Sequence, residues 1–246
     1  MGLTCIENLT KRQLASVCDH TFLEAFGCGC REVSLNNFLG KTLQLGVIPY
    51  GICVYPEDIP EVKKYLGQND LSKIVLSAVV GFPDGAKDGT KEKMRQAVYA
   101  LQKGAREIDM VINPQHLLKE SEGVVMGREV EKIADIAHGY GGILKVILEN
   151  SIFSSNPELI RHGCKICNDY GADFVKTSTG FGAYGARQND LKIMRRNFSR
   201  GIKISGGVNK ENVYGLLESA SGRLDGCIDL DPSKIRIGES SLLNKL

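Results

Sequence analysis

The sequence predicts one α/β domain over residues 1–246, folded as a parallel (β/α)8 TIM barrel. The length of 246 residues is close to the ~250 typical of such a barrel. Short apolar, β-branched runs alternate with longer segments of helical period, which is typical of βαβ units and a parallel sheet. No linker or low-complexity stretch divides the chain.

Eight apolar runs are the expected barrel strands. In chain order they are Ser16–His20, Tyr50–Tyr55, Lys73–Phe82, Glu107–Ile112, Ile143–Glu149, Asp173–Thr177, Ile202–Ser205 and Ile235–Gly238. Helical period is clearest over Lys91–Gln102, Glu129–Ala137, Pro157–Asp169 and Asn209–Ser219. An open, doubly wound sheet is the alternative. Its dinucleotide-binding version is disfavoured because no G-x-G-x-x-G motif follows the first run.

The composition narrows the class of protein. The formal net charge is +2, from 31 basic and 29 acidic residues, which gives no support for a nucleic-acid or anionic-membrane partner. No apolar run approaches the ~18 residues that span a bilayer. The first residues, MGLTCIENLTKRQ, lack the apolar segment of a secretory signal. We therefore expect a cytoplasmic protein whose eight cysteines are reduced thiols.

Ionisable residues interrupt four of the expected strands, at Asp109, at Lys145 and Glu149, at Lys176, and at Lys203. Side chains alternate between the two faces of a strand, and the apolar set must pack on the helices. The charged set is then predicted to point into the barrel and to be paired there, because a lone buried charge is very costly. A purely structural network of salt bridges is the alternative interpretation.

Neighbouring lysines also have a chemical use. An amine is nucleophilic only when it is unprotonated, and bringing its pKa from ~10.4 to near 7 requires ~4 kcal/mol from burial and a nearby cation. We expect Lys176 beside Lys203 to be such a pair, with Asp109 as a partner in proton transfer.

Glycine-rich turns follow the last three strands, at Thr179-Gly180, Gly206-Gly207 and Gly238-Glu239-Ser240-Ser241. Barrels frequently bind phosphate in the loops after strands seven and eight. Glycine lets backbone N–H groups approach an oxyanion, and serine adds hydroxyl donors. With the buried lysines, these turns predict a phosphorylated carbonyl substrate.

These segments resemble the deoxyribose-phosphate aldolase family along nearly the whole chain, from about Leu14 to Leu243. The Lys176-Thr177-Ser178-Thr179-Gly180 run is highly specific for the family. The other matching segments are Asp19-His20-Thr21, Val80–Gly85, Glu107–Asn113, Leu144–Glu149, Gly171–Gly180, Lys203–Val208 and Arg236–Ser241.

The resemblance implies roles for individual residues. Lys176 corresponds to the Schiff-base lysine, Lys203 to the lysine that perturbs it, and Asp109 to the acid/base aspartate. Further positions correspond to a supporting polar shell (Lys145, Asp19, Thr21) and to a residue beside the substrate (Cys53); of these, Asp19, Thr21 and Cys53 are expected, with Thr179, to bind the substrate. The phosphate site corresponds to Gly180, Gly206, Gly207, Gly238, Ser240 and Ser241.

The implied reaction is reversible cleavage of 2-deoxy-D-ribose 5-phosphate to D-glyceraldehyde 3-phosphate and acetaldehyde. The iminium is the electron sink, so we expect no metal and no cofactor. Two departures are expected to affect rate and phosphate affinity rather than reaction type. Phe181 stands where some members have lysine, and the chain stops at Asn244-Lys245-Leu246 where some carry a tail ending in tyrosine.

Several features have competing interpretations. Cys164-x-x-Cys167 beside His162 could be a metal or redox motif, but both thiols are better explained as small apolar side chains on one helix face. Cys28-Gly29-Cys30 is expected to be a reduced loop. His20 is either a packed, hydrogen-bonded histidine or a base.

Two other functions stay open. One is a Schiff-base barrel aldolase for another phosphorylated sugar, and the other is a non-catalytic sugar-phosphate binder. The resemblance also implies a possible homodimer.

Overall fold

A computed structural model describes residues 3–26, 30–119 and 123–246, and its centre is a closed barrel of eight parallel strands. The predicted TIM barrel is confirmed. The strands are β2 (Cys18–Thr21), β3 (Gly51–Val54), β4 (Val75–Val80), β5 (Glu107–Val111), β6 (Ile143–Ile147), β7 (Phe174–Lys176), β8 (Gly201–Ser205) and β10 (Ile235–Glu239). Neighbours in sequence pair in order, and β10 closes the barrel between β8 and β2.

Helices surround the strands. They are α1 (Lys11–Ala15), α2 (Arg31–Leu43), α3 (Ile59–Gln68), α4 (Thr90–Lys103), α5 (Gln115–Leu118), α6 (Gly123–Gly139), α7 (Glu158–Asp169), α8 (Gln188–Asn197), α9 (Val213–Ser221) and α10 (Leu242–Lys245). All four predicted helices are present, although the predicted Asn209–Ser219 begins later, at Val213, because Asn209 and Asn212 form a hydrogen-bonded turn first. No helix in these described ranges is long and apolar enough to cross a membrane.

Alternation along the strands divides the core in two. Ile108 and Met110 of β5, and Ile202 and Ile204 of β8, belong to the apolar layer between barrel and helices. The residues between them, Asp109 and Lys203, are fully buried inside the barrel. The alternation therefore places the charges as the sequence predicts.

A small antiparallel pair lies outside the barrel. Strand β1 (Thr4–Cys5) pairs with β9 (Cys227–Ile228), so the start of the chain is held against the segment that leads into β10. A 3-10 turn over Ile6–Asn8 follows β1, and Ile6 is buried in the core.

Candidate active site

Asp109 is the centre of the charged cluster. Its Oδ2 accepts hydrogen bonds from Nζ of Lys176 and from Nζ of Lys203, each at 2.8 Å, while its Oδ1 accepts one from Nζ of Lys145 at 2.9 Å. The pairing register brings these residues together, because Asp109 lies opposite Lys145 and Lys176 lies opposite Lys203. The expected juxtaposition of the two lysines is present.

The cluster continues toward the amino-terminal ends of the strands. Lys145 also contacts Glu107 Oε2 at 2.5 Å, and Lys203 contacts Asp19 Oδ2 at 2.5 Å. Arg236 reaches both of those carboxylates, with Nη2 donating to Glu107 Oε1 at 2.7 Å and Nη1 to Asp19 Oδ1 at 2.8 Å. The barrel interior is thus a continuous ionic network.

The network fixes the charge of its members. Burial alone would raise the pKa of Asp109, but the cations of Lys145, Lys176 and Lys203 outweigh it and hold the pKa well below its usual value. The pKa values of Asp19 and Glu107 are lowered in the same way, against burial, with Lys145 as the strongest cation for both. All three carboxylates are therefore ionised at neutral pH.

Two of the lysines are held as cations. Burial would lower the pKa of Lys203, but Asp109 and Asp19 raise it above its usual value. The pKa of Lys145 is likewise raised, against burial, by Asp109, Asp19 and Glu107. Both lysines can therefore act through charge next to Lys176.

The carboxylates are unevenly shared among the cations. Lys145 contacts three of them, Lys203 and Arg236 two each, and Lys176 only Asp109. Four cations thus share three carboxylates within this described network. Lys176 is the cation with the fewest carboxylate contacts.

A cavity of about 1110 Å³ opens at the carboxyl-terminal ends of the strands, and Lys176 is the network member that lines it. The amine is at the base of the opening, with 2% of the residue exposed. The wall includes most of the residues that the sequence assigns to substrate, namely Thr21, Thr179, Gly180, Gly206, Gly207, Gly238, Ser240 and Ser241. The three glycine-rich turns therefore meet at one opening.

Two of the residues assigned to substrate lie behind the cavity. Asp19 is fully buried and bonded to Lys203 and Arg236. Cys53 is fully buried, with its Sγ 3.9 Å from Asp109 Oδ2. Burial raises the pKa of Cys53 to about 11, so its thiol is protonated at neutral pH. Both residues support the cluster from below.

Gly238 has a steric role inside the barrel as well as a place in the cavity wall. A Cβ at this position would lie 3.1 Å from Lys203 Cε and 3.2 Å from Ser205 Oγ. Glycine thus leaves the space that the Lys203 side chain occupies between β8 and β10.

Glu149 holds the loop that follows Lys176. Its Oε2 accepts hydrogen bonds from the backbone N–H of Thr179 at 2.8 Å and from the hydroxyl of the same residue at 2.5 Å, and its Oε1 accepts one from Ser151 at 2.8 Å. The sequence places Glu149 in the strand with Lys145. Strand β6 instead ends at Ile147, and Glu149 has a left-handed φ of 54°, so its carboxylate reaches across to the next loop.

The cavity wall also includes a lysine that no sequence pattern singles out, together with Phe181. Lys41 of α2 is, with Lys176, one of the two lysines or arginines that line the cavity in the described ranges. Phe181 lines the wall, and its ring contacts that of Phe82 edge-on at 5.5 Å. The sequence pattern of α2 does not distinguish Lys41 from other residues, because an exposed lysine is ordinary on a helix surface.

His20 lies next to the glycine-rich turn that follows β10. Its Nδ1 is 2.6 Å from Glu239 Oε1, and its ring stacks on Phe38 at 4.5 Å. The residue is 1% exposed and lines the cavity. The packed, hydrogen-bonded alternative for His20 is therefore the one that the geometry favours.

The other cysteine features have simple surroundings. Cys164 and Cys167 are buried in α7, and burial raises the pKa of both thiols. Across residues 3–26, 30–119 and 123–246, no three His, Cys, Asp or Glu side chains are grouped so that they could hold a metal ion. Cys28 and Gly29 lie outside the described residues, so the expectation for that loop stays a prediction.

Comparison with known proteins identifies the family. A family model described as DeoC/LacD family aldolase matches residues 46–244. The chain belongs to the DeoC/LacD aldolase family. This confirms the resemblance drawn from the motifs, and it confirms that the protein is an aldolase.

Relatives of this DeoC/LacD family member share most of its length. It is 37% identical over 220 residues to a deoxyribose-phosphate aldolase of Caldicellulosiruptor saccharolyticus, with 88% of this chain and 94% of that one covered. It is 34% identical over 216 residues to a deoxyribose-phosphate aldolase of Aciduliprofundum boonei, covering 87% and 92%. The tetrameric deoxyribose phosphate aldolase of Aeropyrum pernix shares the fold, with a TM-score of 0.75, 23% identity and coverage of 98% and 94%.

Proposed function

We propose that this aldolase cleaves 2-deoxy-D-ribose 5-phosphate reversibly to D-glyceraldehyde 3-phosphate and acetaldehyde, through an imine on Lys176. The observation that carries the proposal is the Asp109 carboxylate shared by Lys176 and Lys203 at the base of a cavity. Family membership and the names of both relatives support the substrate.

The first half of the reaction makes the imine. Nζ of Lys176 attacks the C1 aldehyde of the open-chain sugar and gives a carbinolamine. Loss of the C1 oxygen as water requires a proton, and Asp109 Oδ2 lies 2.8 Å from both Lys176 and Lys203, so it can pass one between them. The raised pKa values of Lys203 and Lys145 keep both side chains cationic beside the attacking amine.

The second half breaks the carbon–carbon bond. The C3 hydroxyl loses its proton, the electrons of the C2–C3 bond move into the iminium, and D-glyceraldehyde 3-phosphate leaves. The enamine on Lys176 takes a proton at C2 and is hydrolysed to acetaldehyde and free amine. In the cleavage step the cationic imine accepts the electron pair and becomes the neutral enamine.

The substrate phosphate would lie against the glycine-rich turns. Gly206, Gly207, Ser240 and Ser241 line the same cavity as Lys176, and they can supply backbone and hydroxyl donors. Lys41 is placed on the same wall and adds a positive charge, which offsets the presence of Phe181 in place of lysine.

The direct test is a coupled assay with 2-deoxyribose 5-phosphate, followed by borohydride reduction with substrate and peptide mapping. We expect acetaldehyde release and one modified residue, Lys176. A tag on Lys203 or Lys145 would contradict the assignment. Activity should survive EDTA, because the iminium is the electron sink; loss of turnover that zinc restores would point to a metal aldolase.

The same experiment separates the alternatives. A Schiff-base aldolase for another phosphorylated sugar would be trapped by borohydride but would release acetaldehyde from a different member of a substrate panel. A non-catalytic sugar-phosphate binder would gain no mass after borohydride and acetaldehyde. The ionic network disfavours the binder, since binding alone has no need of three buried lysines on one aspartate.

Assembly and location are also proposals. We propose that the protein is a homodimer in the cytoplasm. Because the Aeropyrum pernix protein is a tetramer, a tetramer is the alternative outcome. Light scattering on the purified protein measures the mass directly.

A further inference from the structure

Two cysteines face each other outside the barrel. In the antiparallel pair of β1 and β9, Cys5 lies directly opposite Cys227, and Thr4 lies opposite Ile228. Cys5 is exposed and Cys227 is partly exposed. Neither thiol has a place in the proposed aldol chemistry, and the sequence gives no hint that residues so far apart meet.

The hydrogen bonds of this pair define its geometry. The backbone N–H of Ile6 donates to Gly226 O at 2.9 Å, which makes Ile6 and Gly226 a hydrogen-bonded pair. Because the two kinds of pair alternate along an antiparallel ladder, Cys5 and Cys227 form a non-hydrogen-bonded pair. In such a pair the Cα atoms are about 4.5 Å apart and both side chains point to the same face. Disulfides have Cα separations of roughly 4.4–6.8 Å.

The other described cysteines differ from this pair. Cys18, Cys53, Cys164 and Cys167 are buried, which shields them from soluble oxidants. Cys30 is exposed at the N-cap of α2. Among the described cysteines, Cys5 and Cys227 are the two that lie opposite each other on paired strands.

We propose that Cys5 and Cys227 are a thiol-modification site that a low-molecular-weight disulfide, such as oxidised glutathione, converts into an intramolecular disulfide. One thiolate attacks the glutathione disulfide, which gives a mixed disulfide and releases one glutathione thiol. The second cysteine attacks the mixed disulfide and releases the other. Two protein thiols are oxidised, one glutathione disulfide is reduced to two thiols, and dithiothreitol reverses the change.

The link would close nearly the whole chain into a ring. Seven of the eight barrel strands, β2 to β8, lie between Cys5 and Cys227, and β10 follows the second cysteine. Oxidation would therefore link β1 covalently to β9, the strand that precedes β10.

The test uses the full-length protein with Cys28→Ser and Cys30→Ser, so that the other candidate thiols do not react. After oxidised glutathione and removal of excess reagent, we expect the intact mass to fall by two hydrogen atoms, with no glutathione retained. Non-reducing peptide mapping should join the peptides of Cys5 and Cys227. Two retained glutathiones with no link, or a link that joins other cysteines, would overturn the proposal.

Two variants in the same background sharpen the result. Cys5→Ser should stop at the mixed disulfide and keep one glutathione on Cys227, because the resolving thiol is gone. Thr4→Cys combined with Cys5→Ser moves the thiol by one residue, to the opposite face of β1. That variant should also stop at mixed disulfides. An efficient disulfide between position 4 and Cys227 would show that β1 does not keep its pairing with β9. That result would overturn the geometry on which the proposal rests.

Discussion

At the scale of single residues, the proposed reactivity of Lys176 depends on how three carboxylates are divided among four cations. Lys145 and Lys203 each hold two or more of these carboxylate contacts, whereas Lys176 holds one and faces the cavity. The cations that stay protonated therefore surround the amine that must react. Lys203 contributes in this view through its charge and through the proton that it shares with Asp109.

Lys203→Met should lower kcat by about 10²–10⁴-fold at neutral pH, because both the charge and a donor to Asp109 are lost. It should also destabilise the fold, since Asp19 and Asp109 lose a buried partner. Lys93→Met is the matched control: Lys93 is equally buried and pairs with Glu129 at 2.9 Å, outside the barrel interior. It should lose stability while kcat changes little. Equal loss of kcat in both variants would assign Lys203 a structural role.

Lys41 and Ser240 line the cavity in which we propose that the substrate phosphate binds. Lys41→Met and Ser240→Asp should each lower kcat/KM for 2-deoxyribose 5-phosphate by roughly 10–100-fold, since a charge-assisted hydrogen bond contributes about 1.5–3 kcal/mol. Ser240→Asp should be worse than Ser240→Ala, because it opposes a carboxylate to the phosphate dianion. Unphosphorylated deoxyribose is the control substrate and should be spared. Equal damage to both substrates would place the phosphate elsewhere.

Some residues of the charged network can be recognised from the sequence and others cannot. Period-two alternation identifies Asp109, Lys145, Lys176 and Lys203, because each interrupts an apolar run. The same rule applies to Glu107 and Arg236, which share faces with Asp109 and Gly238, yet a charge near the start of a strand resembles an ordinary boundary residue. Lys41 has no local signal at all. Its importance depends on where α2 lies beside the cavity.

At the scale of elements, Glu149 joins the end of β6 to the loop after β7. The carboxylate accepts three hydrogen bonds, two of them from Thr179 in the cavity wall. The loop passes so close that a Cβ at Gly182 would lie 2.3 Å from Glu149 Oε1. A single buried side chain thus positions the loop that follows the proposed nucleophile.

Glu149→Gln should weaken this attachment, because an amide has one acceptor oxygen where the carboxylate has two. We expect KM for the phosphorylated substrate to rise about tenfold, with a smaller loss of kcat, since charge-assisted hydrogen bonds are worth about 1.5–3 kcal/mol. Ser151→Ala is the matched control, because it removes one donor to Glu149 and leaves both contacts from Thr179 intact. A large loss of kcat with KM unchanged would instead place Glu149 in the chemistry.

The sequence predicts a helix or strand only where a local pattern of apolar residues and turns marks it. All eight predicted barrel strands are present, because each combines β-branched residues with flanking turns. The expected Lys73–Phe82 shortens to Val75–Val80, as Gly81 takes a left-handed φ of 61° that ends the strand. Strands β1 and β9 have two residues each and pair across most of the chain, so no local periodicity could indicate them.

At the scale of the whole molecule, the barrel interior is ionic where most barrels are apolar. Asp19 comes from β2 and Glu107 and Asp109 come from β5, whereas their counter-ions come from four other strands, β6, β7, β8 and β10. The fold therefore brings the charges together only when the barrel closes. The buried charges are therefore paired only in the closed barrel. Because the carboxylates must be ionised to form these pairs, the stability of the barrel depends on pH.

The three buried carboxylates make the stability of the fold sensitive to acid. The pKa values of Asp19, Glu107 and Asp109 are lowered in the folded protein, so their contribution is complete above the unfolded values of about 3.9–4.3 and is lost as the pH falls through the folded values. The free energy of unfolding should fall below about pH 4.5, with a slope of up to about 4 kcal/mol per pH unit if all three carboxylates take up protons only on unfolding. Urea denaturation between pH 7 and pH 3 measures this slope.

Glu107→Gln tests the source of that slope. One carboxylate fewer should reduce the slope by about 1.4 kcal/mol per pH unit, because one proton fewer is bound on unfolding. The variant should also be less stable at pH 7, since Arg236 and Lys145 each lose a buried partner. Glu158→Gln is the control, as Glu158 is an exposed residue that pairs with Arg161 on α7. If the two variants showed the same slope as the wild type, acid sensitivity would arise outside the barrel interior.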